Sequence, residues 1–521
     1  MKFWLVSILP VALVITGSCS GAEPDGADAL EGASQLSGIP PSIAASALQA
    51  EAKEPAVRDL YADIGWVSLW SPRAEQAFVS SLEKRSAHGL DRLNFLPDLR
   101  QLSQAEREIA LTRAALNFAG ALGHGLVDPA KLHAIYTIER PEIDLGRGLL
   151  AAVRNDRMVS WLDSLAPDTA EYRVLADAYK QQRKAASGEI SGQVASGSLI
   201  RPGDRDPRIQ QIVHALVDNS YLPIQPQPAA SSRSQAGEQD IYKPAIVMAV
   251  KEFQQDYGIR DDGVIGADTL AFLNVQPGDR ARSIAVAMER LRWLARDPPS
   301  TRIDVNVAAA ELSYFRHGKL VDHRKVVVGK PGTETPQIST SLFRLVANPT
   351  WTVPKSIQRG ELAGKSAAYF RRNNMTWRNG WIVQGSGPRN SLGLVKFDMR
   401  NDFAIYLHDT PAKKLFDLQQ RQLSHGCVRV SDALGFSRML AEHQGIAVRW
   451  SKAQAARSMK FVELPTEIPV RLYYRTVYVD HANKLTYRTD PYGWNVAVAE
   501  ALGFGKDADN KFGARVNAIW P

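Results

Sequence analysis

Cys427 stands in the run Ser424, His425, Gly426, Cys427, Val428, Arg429, and a second histidine, His408, lies nineteen residues upstream. A thiol with a reference pKa of about 8.5 is mostly protonated at neutral pH. An imidazole that takes its proton raises both the thiolate fraction and the rate of attack on a carbonyl. The run Phe403 to Leu407 alternates and is rich in aromatic and branched residues, so it reads as a short strand with His408 at its C-terminal edge. Gly426 suits a turn that brings backbone close to a substrate or aims amides at it. Val428 to Val430 reads either as a buried strand or as the first turn of the helix suggested by Ala433 to Glu442; a helix start there would favour a thiolate at Cys427. The plainer reading is a small buried hydrophobe beside ordinary histidines. Zinc needs three or four ligands, and Cys427 has no second cysteine near it and no CxxC, so neither a metal nor any other cofactor is expected.

His408, fifteen intervening residues and then SHGCVR resembles the signature of the L,D-transpeptidases, the bacterial cysteine enzymes that cross-link peptidoglycan. VVVGKPGTETP (Val326 to Pro336), ANPTWTVPKSI (Ala347 to Ile357), GPRNSLGLVKFDM (Gly387 to Met399) and IYLHDTP (Ile405 to Pro411) are similar to the large periplasmic members of Gram-negative bacteria. The resemblance implies that Cys427 is the nucleophile and His408, not His425, its base. Ser424, His425 and Gly426 would shape the site, with amides around Gly426 and Cys427 as oxyanion donors. Arg429 would fix the loop or meet a substrate carboxylate, and Asp409 would orient the base through its carbonyl or its side chain. Tyr406, Lys355, Arg389, Trp377 and Trp381 are candidate substrate contacts.

The implied chemistry is attack of Cys427 on the amide between meso-diaminopimelate and terminal D-Ala of a tetrapeptide stem. A thioester forms, D-Ala leaves, and a side-chain amine of a second stem resolves the thioester into a 3-3 cross-link. Peptidoglycan tetrapeptide stems are thus the expected donor and acceptor, and carbapenems the expected covalent inhibitors. The alternatives are an L,D-carboxypeptidase, a cross-link cleaving or lipoprotein-attaching enzyme of the same fold, or a non-catalytic wall-anchoring protein.

The chain has 521 residues, too many for one ordinary core, and its 45% hydrophobic and 23% charged content is that of a folded protein. Residues 1–22 read as a signal peptide, because the thirteen residues Phe3 to Ile15 are apolar yet too few to span about 30 Å of hydrocarbon. Ser20 to Ala22 suits conventional cleavage before Glu23, whereas Thr16 to Cys19 resembles a lipobox that would lipidate Cys19. Either mode places the protein outside the cytoplasm, in the periplasm or cell envelope, with a lipid on Cys19 as the sole expected membrane attachment. The formal charge of +8 favours an acidic partner. No cluster of Lys and Arg interleaved with aromatics points to nucleic acid. Peptidoglycan and anionic lipid are the better candidates.

The expected architecture is multidomain: an all-helical scaffold and a small helical module, then a β-rich catalytic domain. Residues 23–40 form a tether. Residues 41–200 place apolar residues at helical spacing, and Trp66 and Trp70 in YADIGWVSLW read as packing anchors; this stretch resembles the scaffold region of the same large enzymes. Within residues 204–276, Ala249, Phe253, Gln254, Gly258, Asp262, Gly263, Gly266 and Thr269 resemble the repeat of a peptidoglycan-binding domain, which also occurs as a spacer. Residues 277–300 are a connecting helix with Arg282, Glu289, Arg290 and Arg292 as its polar positions. At Arg302 the apolar period changes to two, and residues 301–450 form the catalytic domain, interrupted by a lid-like insertion at about 358–385 that carries Arg371, Arg372, Trp377 and Trp381. Residues 451–521 open on a mobile basic patch, Ser451 to Lys460, and then pack back on the scaffold.

Overall fold

The computed structural model describes residues 43–188, 192–219, 221–223 and 239–505. The signal peptide, Cys19, the tether and most of the polar stretch before Gln239 lie outside the described residues, as do residues 506–521.

The first helical domain is built on the helix Gln104–Gly123, which is apolar nearly all round and therefore buried nearly all round. Its start is fixed by a capping box in which Ser103 and Glu106 satisfy each other's backbone amides. Buried Glu108 accepts from the Tyr61 hydroxyl at 2.9 Å and the Trp70 amide at 3.2 Å, and Trp70 Nε1 donates to Thr112 Oγ1 at 2.8 Å. Trp70 is therefore an anchor in the core, while the partly buried Trp66 stacks on Tyr61.

The connecting helix forms over Pro277–Arg292. Arg282, Glu289, Arg290 and Arg292 are all buried, because this helix runs through the core of the helical domain instead of along its surface. Burying charge demands partners. Glu289 receives Arg292 Nη2 at 2.8 Å, Trp293 Nε1 at 3.0 Å and the Val127 amide at 3.0 Å. Arg292 also donates to the His88 carbonyl and the Tyr172 hydroxyl, and Arg290 to Asn495 and the Trp494 carbonyl.

The small module has its own core on the helices Ile209–Asp218, Pro244–Asp256 and Ala267–Leu273. Its repeat residues work inward. Gln254 accepts the Gly263 amide at 2.9 Å and donates to the Val264 carbonyl and Thr269, while Gly258 and Gly263 take φ of 65° and 75°. The repeat is thus accounted for by the turn it stabilises. Stacking of Tyr257 on Tyr487 and a 2.5 Å bond from Arg488 to the Asp256 carbonyl dock the module on the C-terminal hairpin.

The strands are, in chain order, β1 (Arg302–Asn306), β2 (Glu311–Arg316), β3 (Lys319–Gly329), β4 (Ile338–Ala347), β5 (Trp351–Thr352), β6 (Met375–Arg378), β7 (Trp381–Gln384), β8 (Val395–Met399), β9 (Leu407–His408), β10 (Gln422–Ser424), β11 (Val428–Val430), β12 (Lys460–Tyr473), β13 (Val477–Val479) and β14 (Leu485–Tyr487). Nine of them form one sheet in the order β10-β3-β11-β9-β8-β4-β12-β1-β2, and a further β2–β3 pairing closes the eight from β3 to β2 into a barrel, with β10 alongside β3. Closure removes the exposed edges that an open sheet would leave.

Two expectations change here. Ser451 to Lys460 is not a mobile patch: the helix Ala447–Ala455 buries Trp450 in the barrel core, and β12 begins at Lys460. Residues after 450 do not all pack on the scaffold, because β12 pairs with β4 on one side and β1 on the other, inside the barrel. What packs on the helical core is Val477, Val498, Leu502 and Phe504. The lid insertion is folded too. β5, β7 and β6 make a small sheet over Val353, Ile357, Leu362, Met375 and Ile382.

Glu289→Ala removes four hydrogen bonds, two of them from Arg292, and leaves Arg292 charged in the core. A loss of about 3–5 kcal/mol is expected, read as an earlier unfolding midpoint in urea; an unchanged midpoint contradicts the packing described.

Candidate active site

β9 lies between β8 and β11, with Lys396 opposite His408 on one side and Arg429 on the other. Opposed residues share a face of a sheet. Phe397, Leu407 and Val428 consequently enter the barrel core, and His408, Lys396 and Arg429 belong to the other face. Cys427 precedes β11 and, two residues before Arg429, shares that face.

The strand expected over Phe403 to Leu407 is reduced to Leu407–His408. The Asn401 side chain accepts the Phe403 and Ile405 amides and closes a turn in which Ala404 takes φ of 54°, which breaks the alternation. That turn brings the Ala404 carbonyl to 3.9 Å from Cys427 Sγ. Val428–Val430 is a strand and not a helix start. The helix that follows is capped by Asp432, so no helix dipole acts on Cys427.

Ser424 holds the cysteine turn. Its hydroxyl donates to the Cys427 carbonyl at 2.6 Å and accepts the Gly426 amide at 3.1 Å. The Gly426 amide is therefore occupied, while the Cys427 amide makes no hydrogen bond among the described residues, so Cys427 supplies the one free amide of the two expected as oxyanion donors. Gly426 has φ of 108°, and a Cβ there would sit 3.3 Å from Ile405. Thr335 Oγ1 donates to the Gly426 carbonyl at 2.7 Å.

Burial raises the Cys427 thiol above its ordinary value. Hydrogen bonds from the Tyr406 backbone and hydroxyl, and the charges of Lys396 and Arg429, oppose that rise. Tyr406 thus lies beside the sulfur. Its ring packs edge-on against His408 at 5.6 Å, and Lys396 Nζ lies 4.1 Å from its centroid. His408 is pushed down to about 3 by burial first, then by Arg429 and Lys396, against the opposing effect of its bond to Asp409. Its Nδ1 lies 2.5 Å from the Asp409 carbonyl and so carries the hydrogen, which leaves Nε2 as the lone-pair nitrogen. The question of which Asp409 group acts on the histidine has a clear answer. The carbonyl does, while the carboxylate accepts the Leu394 amide at 2.9 Å and pairs with Lys413. The thiol and the imidazole both rest neutral, on adjoining strands of one face of the barrel wall.

The other candidates sit farther out. His425 turns to the lid, where its Nε2 lies 2.7 Å from Glu361 Oε1. Lys355 donates to the Gly380 carbonyl and lies 4.3 Å from the Trp381 ring centroid. Trp377 and Trp381 are 62% and 40% exposed, and Arg389 is exposed with its carbonyl held by Gln384. Sequence reasoning missed Glu361, Lys396, Thr335 and Trp351, which bonds the Tyr406 side chain. Glu361 carried a usable signal, as the one acid in a strongly basic insertion. The others are brought to the site by strand pairing.

Alkylation of Cys427 by iodoacetamide should keep accelerating above pH 8.5, and Tyr406→Phe should slow it about tenfold by removing a hydrogen bond to the thiolate. A plateau near neutral pH contradicts the neutral pair. His408 also ties stability to pH: the unfolded chain takes up its proton at about 6.5, the folded site only at about 3, so stability falls as pH drops through that window.

A family model described as an L,D-transpeptidase catalytic domain matches residues 300–447, one described as a scaffold domain matches residues 55–178, and one described as a "Putative peptidoglycan binding domain" matches residues 205–273. A curated "Putative L,D-transpeptidase" of Haemophilus influenzae is 31% identical over a stretch covering 37% of this chain and 44% of that protein. The match thus spans less than half the length of that curated relative. A solved mutant of an Enterococcus faecium L,D-transpeptidase aligns at 14% identity over 34% of this chain and 53% of that one, with a TM-score of 0.21. An L,D-transpeptidase solved in complex with imipenem aligns at 12% identity over 33% and 58%, with a TM-score of 0.19. Among the described residues no helix is long and apolar enough to cross a membrane. The chain accordingly carries an all-helical region with scaffold and peptidoglycan-binding-type domains, followed by an L,D-transpeptidase catalytic domain that forms a β-barrel.

Proposed function

We propose that the chain is an exported peptidoglycan L,D-transpeptidase that joins tetrapeptide stems by 3-3 cross-links. The observation that supports this reading is a buried neutral His408, its Nδ1 hydrogen on the Asp409 carbonyl, on the strand adjoining the one that Cys427 precedes, inside the matched catalytic domain. His408 Nε2 takes the thiol proton as the sulfur attacks the amide that links meso-diaminopimelate to D-Ala. The Cys427 amide donates to the developing oxyanion. The imidazolium then returns its proton to the departing D-Ala nitrogen. A side-chain amine of a second stem resolves the thioester. Arg429 meets a substrate carboxylate, and the lid limits access of water to the thioester.

Carbapenems acylate the same sulfur. The helical module at residues 205–273 holds the enzyme on the wall, and export proceeds through the signal at residues 1–22, with lipid on Cys19 or cleavage before Glu23. The setting is the periplasm of a Gram-negative cell.

The test is intact mass together with muropeptide analysis after incubation with purified tetrapeptide. Wild type should show an acyl adduct and a 3-3 dimer, and Cys427→Ala neither. His408→Ala should lose on the order of 10²-fold or more in rate, while His425→Ala keeps the adduct. An adduct that persists in Cys427→Ala, or a fully active His408→Ala, overturns the assignment.

A further inference from the structure

The lid from Lys355 to Gln384 carries six cations, Lys355, Arg359, Lys365, Arg371, Arg372 and Arg378, and one carboxylate, Glu361. An acid among six bases ordinarily pairs with one of them. Glu361 does not: its ion-pair partner is His425 Nε2 at 2.7 Å, two residues before Cys427, and beyond the lid its charge also acts on Arg429. The Glu361 side chain is 56% exposed there, and Oε2 has no hydrogen-bond partner among the described residues. Three other carboxylates close to the site are committed. Asp398 is buried against Arg344 and Lys396, Asp409 against Lys413 and the Leu394 amide, and Glu334 folds back on the Gly332 amide. The floor itself is cationic, with Lys396 and Arg429 beside His408 and Cys427. Such a floor suits the carboxylates of a donor stem and repels an ammonium.

We propose that Glu361, held by His425, forms the subsite for the side-chain ammonium of the acceptor stem and delivers it to the thioester on Cys427. The proposal rests on the transpeptidase reading above. An ammonium bound to Oε2 gives one proton to the carboxylate, from which it passes to water. The neutral nitrogen then attacks the thioester carbon, a C–N bond forms and the C–S bond breaks. The second nitrogen-bound proton moves through His408 Nε2 to the departing Cys427 sulfur, so the products are an amide and a free thiol.

The experiment follows the full chain with purified tetrapeptide as donor and acceptor, reading acyl-enzyme by intact mass and the ratio of cross-linked to hydrolysed product at graded acceptor concentration. Glu361→Gln should raise the acceptor KM about tenfold and lower the ratio to match, while the acyl-enzyme still forms. Glu361→Asp, which keeps the charge, should stay within about threefold of wild type. Asp402→Asn, which removes an exposed carboxylate from the neighbouring turn, is the control for net charge and should match wild type. An acceptor KM unchanged in Glu361→Gln, equal losses in Glu361→Gln and Glu361→Asp, or the same loss in Asp402→Asn overturns the proposal. Absence of acyl-enzyme in wild type would instead sink the transpeptidase reading, and this subsite with it.

Discussion

The site depends on how His408 is buried. Its ring is taken from water between the cations Lys396 and Arg429, and its Nδ1 hydrogen is fixed on the backbone carbonyl of Asp409. A charged imidazole is costly in such a place. The ring therefore stays neutral far below the pH at which a free histidine would charge, and its tautomer is set by main chain, not by a side chain that could swing away. The Cys427 sulfur is held as a neutral thiol by its own burial, with Tyr406 and the same two cations placed to stabilise a thiolate.

That arrangement requires the whole barrel. His408 contributes to a strand of two residues, β9, which could not hold itself in place. It is fixed by β8 and β11, which are fixed in turn by β4 and β3, and the ring closes only because β12, more than thirty residues beyond Cys427, enters between β4 and β1. The lid is tied to the same centre twice, through Trp351 to Tyr406 and through Glu361 to His425. Movement of the lid would thus reach both the residue beside the sulfur and the turn that carries it.

Much of this was legible in the residue order. The change of apolar period at Arg302 and the helical spacing within residues 41–200 each follow from short-range pattern, and each matches an observed feature. The rest has another cause. Glu289, Arg290 and Arg292 are charges in a core, where charge is rarely found, and partners such as His88, Tyr172 and Asn495, brought from elsewhere in the chain, make their burial tolerable. Phe403 to Leu407 alternates like a strand, but Asn401 closes a turn across it. Trp450 looked like the end of a domain because its contacts are in the barrel core rather than beside it in sequence. Tertiary pairing decided all three.

The most direct test of this account is the protonation state of His408, followed by NMR of the full chain with ring-labelled histidine, assigned by comparison with His408→Gln. The account predicts a neutral ring with hydrogen on Nδ1 from pH 8 down to at least about pH 5, well below the usual histidine midpoint of about 6.5. A His408 imidazolium at pH 7, paired with a Cys427 thiolate, would contradict it.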